Sequence, residues 1–267
     1  MSEQFPERAA PPRRNHDEMR VYGINACLAL FAQRPHDLRK VYLLESRIAQ
    51  LKTVLAWCVQ KKLGYRVVGN ADLDKLTASQ HHEGVCFEVR RRTPMALTAL
   101  LQKLVPHKNA LLAWLDGVGN PHNFGAVLRS AANFGVDGVL LSGDAALAES
   151  GAALRVAEGG AEAVAMARIA PGEDAFGALR NAGFAIAACV PREGEALFAS
   201  RLPLRLVFAL GAEGEGLSRG LIDRADLHLT IPGSGAVESL NVSASAAVLF
   251  GEYWRQRHAA AARPPRR

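Results

Sequence analysis

Apolar positions along the chain follow two alternating patterns, which predict a mixed α/β protein. Short, almost wholly apolar runs such as ALLAWL (110–115) and LRLVFALG (204–211) are typical of buried strands, and the amphipathic segments between them are typical of helices. Since such an alternation favours a parallel sheet covered on both faces, residues 109–258 are predicted to form one mainly parallel α/β domain. Its last helix is predicted to run from Ser239 to about His258.

A smaller alternation of helices and strands occupies the front of the chain. Helices are predicted at INACLALFAQ (24–33) and LKTVLAWCVQKK (51–62), and GVCFEV (84–89) is predicted to be the closing strand. About 70 residues of this kind form a small α/β sandwich within the usual size of an independent domain. The predicted organisation is a disordered tail (1–18), the α/β sandwich (19–92), a helical linker (93–108), the parallel domain (109–258) and a basic disordered tail (259–267).

Composition narrows the class of protein. With 49% hydrophobic residues among 267, the chain can bury a sizeable core. Because no run approaches the length of a membrane helix and the first residues lack the apolar stretch of a signal peptide, we expect a cytoplasmic protein with no membrane partner. The four cysteines lack the spacing of metal ligands and are expected to be buried thiols. The adjacent His81 and His82 are expected to be solvated or to face RNA rather than to bind a metal, so no metal is predicted.

The net charge of +6 is unevenly distributed. Residues 21–92 contain 12 Lys and Arg against 6 Asp and Glu, whereas residues 93–258 contain 13 against 16. A basic front region on a mildly acidic body favours a polyanion held by one part and acted on by the other. The alternative is an ordinary solvated surface.

Three glycine-bearing loops are candidates for a binding site, and each follows a predicted strand. They are GVGNPHNFGAVLR (117–129), GAEGEGLS (211–218) and IPGSGAVESLN (231–241). Because loops at the carboxyl ends of parallel strands can meet at one crevice, these distant stretches are predicted to line one pocket. They match neither the G-x-G-x-x-G turn of dinucleotide-binding folds nor the P-loop, which disfavours a dehydrogenase or a P-loop NTPase.

Individual residues of these loops have candidate roles. Asn123 is predicted to cap the helix that follows the first loop, and Gly125 would let another backbone approach closely. Arg129 is either a surface charge with a buried stem or a guanidinium that grips a phosphate or ribose, and its place behind a glycine-rich loop favours the second interpretation. Glu213 is expected to shape the pocket, whereas Glu215 is expected only to complement a helix dipole.

The three loops resemble the three motifs of the SpoU (TrmH) branch of the SPOUT RNA methyltransferases. The similarity lies in N-x-G-x-x-x-R at Asn123, Gly125 and Arg129, in LGAEGEGLS (210–218) and in IPxxGxVxSLNVS (231–243). The front region, with VYGINAC and HHEGVCFEV, is similar to the substrate-binding domain that precedes the catalytic domain in many members. One departure concerns the third motif, which often has Met after its proline where this chain has Gly233.

This resemblance implies a fold, a cofactor and a reaction. The parallel domain would be a knotted SPOUT methyltransferase domain, active as a homodimer, that transfers the methyl group of S-adenosylmethionine to a ribose 2′-hydroxyl of structured RNA, with ribosomal RNA favoured over transfer RNA. The implied cofactor contacts are Leu210, Gly211, Gly216, Ile231 and Leu240. The implied catalytic residues are Asn123, Arg129, Glu213, Ser239 and Asn241.

Two alternatives and one mechanistic expectation accompany this interpretation. The alternatives are a SPOUT methyltransferase that acts on a base nitrogen and a non-catalytic RNA-binding factor for ribosome assembly. Because a guanidinium stays protonated in proteins, Arg129 is expected to bind the adjacent phosphate and polarise the 2′-hydroxyl rather than to act as a base.

Overall fold

The computed structural model describes residues 17–142 and 146–258 of the chain. The predicted tails fall almost wholly outside these residues, apart from the last two positions of the first tail, where Glu18 already begins a strand. None of the helices within the described ranges is both long and apolar enough to cross a membrane.

The front region forms a four-stranded sheet covered by helices. Its strands are β1 (Glu18–Tyr22), β2 (Leu38–Leu43), β3 (Gly64–Val67) and β4 (Val85–Arg90), and its helices are α1 (Ile24–Gln33), α2 (Lys52–Lys61) and α3 (Asn70–Thr77). The strand order is β1–β4–β2–β3, with β4 antiparallel to both neighbours and β2 parallel to β3. The predicted α1, α2 and β4 are confirmed to within one residue, whereas β1 was not predicted.

The main region contains an eight-stranded sheet in which every pairing is parallel. Its strands are β5 (Met95–Ala96), β6 (Ala110–Asp116), β7 (Gly138–Ser142), β8 (Ala165–Ile169), β9 (Ala185–Cys189), β10 (Glu195–Ala196), β11 (Arg205–Gly211) and β12 (Leu227–Thr230). Their order is β10–β12–β9–β11–β6–β7–β8–β5. Because β6 and β11 are neighbours in register, with Gly211 opposite Asp116, the first and second loops start side by side.

Helices cover both faces of the main sheet, as the continuous apolar strands predicted. They are α4 (Leu97–Leu104), α5 (Pro121–Asn133), α6 (Gly151–Ala157), α7 (Gly160–Ala163), α8 (Ala175–Asn181), α9 (Arg219–Arg224) and α10 (Val242–His258). Alternate residues of β6 point to opposite faces. Leu111 and Leu115 pack in the core that contains α5, α6 and α10, whereas Leu112 packs in the core that contains α4, α8 and α9.

Two helix starts differ from the prediction because other side chains cap them. The last helix begins at Val242 rather than Ser239, since the side-chain oxygen of Asn241 accepts a hydrogen bond from the Ser243 backbone N–H at 2.8 Å. Helix α5 is capped by Asn120, which accepts from the N–H groups of His122 and Asn123. The expectation that Asn123 is the cap was therefore wrong.

The expected environments of the histidines and cysteines are partly confirmed. His82 is buried, with Nε2 3.1 Å from Asp74 Oδ1, so the expectation that both histidines are solvated was wrong for this residue. Three cysteines are buried, and only Cys189 is half-buried. Burial raises the pKa of the Cys86 thiol to about 12, which keeps it protonated at neutral pH.

The front and main regions share one hydrophobic core. Val21 and Phe87 of the front sheet belong to the same buried cluster as Phe124 of α5 and Leu154 of α6. Glycine permits this contact, since a Cβ on Gly151 would lie 2.6 Å from the Tyr22 ring and 2.9 Å from the Arg20 carbonyl oxygen. The two regions therefore depend on each other for burial of apolar surface.

A buried ion pair also joins the two regions, and we expect it to contribute strongly to stability. Arg34, the residue that follows α1, donates two hydrogen bonds to Glu162 of α7, at 2.9 and 2.8 Å, and the two side chains are only 13% and 7% exposed. Glu162→Gln removes the bidentate counter-charge of the buried guanidinium and leaves it only the Asp37 carboxylate at 3.2 Å, so it should lower the free energy of unfolding by about 3 kcal/mol, measured by chemical denaturation.

A variant of an exposed ion pair shows how much of the effect of Glu162→Gln comes from burial of the pair. The Arg224–Asp174 pair is largely exposed on both sides, and Asp174 caps α8. Asparagine retains capping ability, so Asp174→Asn should change the unfolding midpoint far less than Glu162→Gln does. Equal effects of the two variants would contradict the importance of the buried pair.

Candidate active site

The three glycine-bearing loops meet beyond the carboxyl ends of β6 and β11. A cavity of about 290 Å³ lies between the first two loops and the start of α10, at the lower end of the usual size of small-molecule pockets. Its lining residues are Gly117, Val118, Gly119, Asn120, Asn123, Ala212, Glu213, Glu215 and Val242. The first and second loops thus share one pocket, as predicted, whereas the third loop (231–241) lines no part of it and is joined to it only by the hydrogen bonds of Asn241 and by Val242, which follows the loop.

Asn241 connects all three loops through its side-chain amide. Its Nδ2 group donates to Asn123 Oδ1 at 3.1 Å and to Glu213 Oε1. Its Oδ1 atom caps α10 and also accepts from the Ser243 hydroxyl at 2.6 Å. Because both ends of the amide are engaged, the orientation of the Asn241 side chain is determined by α10 on one side and by the cavity on the other.

The second loop is a tight turn that only glycine permits at its base. Ala212 and Gly216 exchange backbone hydrogen bonds of 3.2 and 2.9 Å. A Cβ on Gly211 would lie 2.1 Å from the Gly216 carbonyl carbon, and Gly216 itself has a φ of +74°. The Asp116 carboxylate at the end of β6 accepts from the Ser218 N–H at 2.8 Å and thereby ties this turn to the neighbouring strand.

Arg129 lies away from the cavity lining in this structure. Its Nη1 atom is 2.9 Å from Glu158 Oε1, and the two side chains are 60% and 40% exposed. The helix around it packs closely against α6, because a Cβ on Gly125 would lie 2.4 Å from the Ala153 carbonyl oxygen. The predicted close approach at Gly125 is therefore confirmed, while Arg129 pairs with Glu158 and does not line the pocket.

The third loop contributes little side-chain packing within the described chain. Ile231 is half-buried against the core, whereas residues 232–241 are all exposed. Leu240 is 46% exposed, and no side-chain hydrogen bond of Ser239 is found within the described ranges. Of the five predicted catalytic residues, hydrogen bonds join Asn123, Glu213 and Asn241, whereas Arg129 pairs with Glu158 and no contact between Ser239 and these three is found among the described residues.

Four residues that lie in or near the cavity were not assigned to the site from the sequence. Asn120 and Val242 line the cavity beside predicted residues, and Glu215, expected only to complement a dipole, lines it as well. Asp116 is the fourth. The Asn-Pro pair at 120–121 is a helix-start signal that could have identified Asn120, since proline favours the first helical position. No sequence signal distinguishes Asp116, whose contact depends on the pairing of β6 with β11.

The charge of the lining indicates which ligands it suits. Glu213 and Glu215 are the ionisable groups among the described lining residues. Two carboxylates without a lysine or arginine beside them favour a cationic ligand group over a phosphate. Within the described ranges, there is also no cluster of three or more His, Cys, Asp or Glu side chains that could hold a metal ion.

Comparison with known protein families shows which family has this arrangement of loops. The model of the SpoU rRNA Methylase family matches residues 110–251, which contain all three loops. The chain belongs to the SpoU rRNA methylase family. The front region of this SpoU chain matches a second family, RNA 2′-O ribose methyltransferase substrate binding, over residues 20–95. Together the two matches identify the chain as an RNA 2′-O-ribose methyltransferase, as the motifs predicted.

Relatives and solved structures resemble the SpoU chain over most of its length. The uncharacterized tRNA/rRNA methyltransferase YfiF of Escherichia coli O157:H7 is 40% identical, covering 92% of this chain and 71% of the relative. The 23S rRNA (guanosine-2′-O-)-methyltransferase RlmB of Salmonella typhimurium is 30% identical, and the match covers 89% of this chain and 98% of the relative. The AdoMet-bound rRNA methyltransferase of Sinorhizobium meliloti superposes with a TM-score of 0.74 at 22% identity. The superposition covers 90% of this chain and 88% of that structure's chain. This likeness confirms the predicted α/β fold with its mainly parallel methyltransferase sheet.

Proposed function

We propose that this protein transfers the methyl group of S-adenosylmethionine to a ribose 2′-hydroxyl of ribosomal RNA, with the cavity between the first two loops and the start of α10 as its reaction centre. The observation that carries the proposal is the Asn241 amide, which links Asn123 of the first motif and Glu213 of the second at the cavity wall. The 30% identical Salmonella relative, named for guanosine 2′-O-methylation of 23S rRNA, supports the choice of ribosomal RNA.

The residues of the second and third loops suit S-adenosylmethionine, which when bound supplies an activated methyl group on a positively charged sulfur. Glu213 and Glu215 offer negative charge to that sulfonium. A Cβ on Gly216 or Gly233 would meet nothing within 4 Å, so these backbones leave open space for a ligand. We assign the cofactor contacts to five residues of these loops. They are Leu210, Gly211, Gly216, Ile231 and Leu240.

The catalytic contribution of the chain is mainly alignment. Displacement at a methyl group requires the attacking oxygen to be held in line with the leaving sulfur, and a fixed geometry supplies much of the rate enhancement. The hydrogen-bonded set of Asn123, Glu213 and Asn241 provides a rigid wall for this purpose. Ser239 is exposed and lies two positions before Asn241 in the third loop, and we propose that it contacts the ribose.

Arg129 is proposed to bind the RNA phosphate next to the target ribose. Its pair with Glu158 is mostly exposed, and such pairs contribute little, so a phosphate can replace the carboxylate. Bound in this way, the guanidinium polarises the 2′-hydroxyl, and the proton passes to the phosphate or to water.

Arg129→Lys tests this role. A lysine keeps the charge and loses the two-pronged geometry, so kcat/KM for RNA should fall by about 10- to 100-fold while the affinity for S-adenosylmethionine stays unchanged. Steady-state kinetics and calorimetry give the two values. Glu158→Gln is the control, because it frees Arg129 and should leave turnover near that of the wild type. Normal turnover by Arg129→Lys would contradict the geometric role.

The organisation of the whole enzyme is part of the proposal. We assign RNA binding to the front region (19–92), catalysis to 109–258 and the connection to 93–108, whose β5 pairs with β8 and whose α4 packs on the main sheet. We also propose a homodimer, which the exposed apolar side chains of the third loop support, since Val237 is 71% exposed in the single chain. A knotted path of the C-terminal chain stays a prediction from the resemblance.

A direct assay tests the proposed reaction. Ribosomal RNA from a strain that lacks the gene is incubated with the purified enzyme and isotopically labelled S-adenosylmethionine, then digested to nucleosides. Label in a 2′-O-methylnucleoside is the expected result. Label in a base-methylated nucleoside, or no label despite measurable cofactor binding, would overturn the proposal and favour one of the two alternatives.

A further inference from the structure

A second pocket lies in the front region, between its sheet and α3. Its volume is about 500 Å³, and it is bounded by one residue from each of β1, β2 and β3 and by the exposed side of α3. The residues that decide its chemistry are Arg20, Tyr42, Arg66, Val68, Lys75 and Leu76. The pocket belongs to a different sheet from the active-site cavity, and the proposed chemistry of methyl transfer uses none of these residues.

One wall of this pocket is fixed by a hydrogen-bonded network. Arg20 donates to the Leu76 carbonyl oxygen at 2.6 Å and to Glu88 Oε1 at 3.3 and 3.4 Å. The Tyr42 hydroxyl donates to the other oxygen of Glu88 at 3.3 Å. The charge of Arg20 is thus already balanced by Glu88, and the same carboxylate holds the Tyr42 side chain in place at the pocket wall.

Two cations at the pocket remain unbalanced. Arg66 on β3 and Lys75 on α3 are exposed, and within residues 17–142 and 146–258 neither has an ion-pair partner. Asp72 is the one carboxylate among the described lining residues. A guanidinium and an ammonium that converge on one opening are suited to a phosphate group.

The floor of the pocket is apolar. Val68 and Leu76 are half-buried beside the Tyr42 ring, and all three belong to the small hydrophobic cluster under α3. Apolar and aromatic side chains next to a phosphate-binding pair match a nucleotide, whose base packs against the floor while its phosphate meets the cations. A base within a duplex is stacked and cannot enter such a pocket, whereas an unpaired base can.

We propose that this pocket binds one unpaired nucleotide of the RNA substrate, with the base against Tyr42, Val68 and Leu76 and the phosphate between Arg66 and Lys75. The inference rests on the proposed function, because it names how the front region selects RNA for methylation. It assigns selectivity for single-stranded loops or bulges to this one place rather than to the overall positive charge of the region.

The test uses the full-length double variant Arg66→Gln/Lys75→Gln and two labelled RNAs, a hairpin with an unpaired loop and a duplex of the same stem. Fluorescence anisotropy should show about tenfold or greater loss of hairpin affinity. The slope of log affinity against log salt should also fall by about 0.7 per lost phosphate contact. Duplex binding should change much less.

A matched control keeps the same change in net charge. Lys52→Gln/Lys62→Gln removes two exposed lysines of the front region that do not line the pocket, and it should weaken hairpin binding far less. Equal losses in the two double variants, or equal losses for hairpin and duplex, would overturn the proposal. Displacement of the hairpin by a free nucleoside monophosphate as readily as by RNA would overturn it too, in favour of a mononucleotide site.

Cofactor binding separates this inference from the proposed function. Arg66→Gln/Lys75→Gln should retain the wild-type affinity for S-adenosylmethionine and the wild-type melting temperature. If the wild-type enzyme fails to methylate ribosomal RNA, the proposed function is wrong. The hairpin-binding measurements still test the nucleotide pocket, because they do not depend on methylation.

Discussion

Asn241→Asp is expected to lower kcat/KM for RNA methylation by about 10²- to 10³-fold, comparable to the loss of one preorganised donor in other active sites. Aspartate can still cap α10, so the helix should persist. The aspartate carboxylate cannot donate a hydrogen bond to Asn123, and it lies against the Glu213 carboxylate, so the two like charges repel each other. Single-turnover methylation assays measure the loss, and circular dichroism verifies the helix content.

Ser243→Ala is the control for Asn241→Asp. The Ser243 hydroxyl contacts only the capping oxygen of Asn241 among the contacts found for it, and the backbone N–H that completes the cap is retained. Its effect on kcat/KM should stay below about tenfold, as expected for one modest hydrogen bond. Near-normal activity of Asn241→Asp with an intact fold would show that the amide donor has no part in the reaction centre.

Gly211→Ala is expected to abolish measurable cofactor binding and to destabilise the protein. The added Cβ would lie 2.1 Å from the Gly216 carbonyl carbon and 2.3 Å from the Leu217 nitrogen, and backbone atoms cannot move aside as a flexible side chain can. Forced repacking of this kind costs about 1–3 kcal/mol, which corresponds to a fall in melting temperature of roughly 2–12 °C. Thermal unfolding and calorimetry with S-adenosylmethionine measure the two effects.

The control for Gly211→Ala uses a neighbouring glycine with free space. A Cβ on Gly220 in α9 would meet nothing within 4 Å, and alanine favours a helix more than glycine does. Gly220→Ala should therefore preserve cofactor affinity and leave the melting temperature unchanged or slightly raised. If Gly211→Ala binds the cofactor normally, the turn at 211–216 is not part of the cofactor site.

The shared core between the front and main regions affects how the enzyme presents RNA. The buried cluster and the Arg34–Glu162 pair hold the front sheet against α6 and α7, so substrate binding and catalysis occur on connected surfaces. Removal of residues 1–92 would expose this part of the core. Point variants in the full chain are therefore the appropriate means of separating RNA binding from catalysis.

Much of the fold follows from local patterns in the sequence. Continuous apolar runs identified the central strands of the main sheet, because strands buried on both faces have no polar side to display. The two-residue strands β5 and β10 were missed, since a pair of residues carries no periodicity. The start of α10 was placed three residues early because several polar residues before Val242 could each have served as its cap.

The sequence by itself determined the family, the parallel α/β architecture and the loops that carry the candidate site, since glycines and polar residues after apolar strands are local features. Only the tertiary structure decided which of those residues meet. Asn241 contacts Asn123 across 118 positions of sequence because β6 and β11 are neighbours and α10 returns to them. Arg129, equally prominent in the motif, pairs with Glu158 instead, because close packing of α5 on α6 brings that carboxylate within reach.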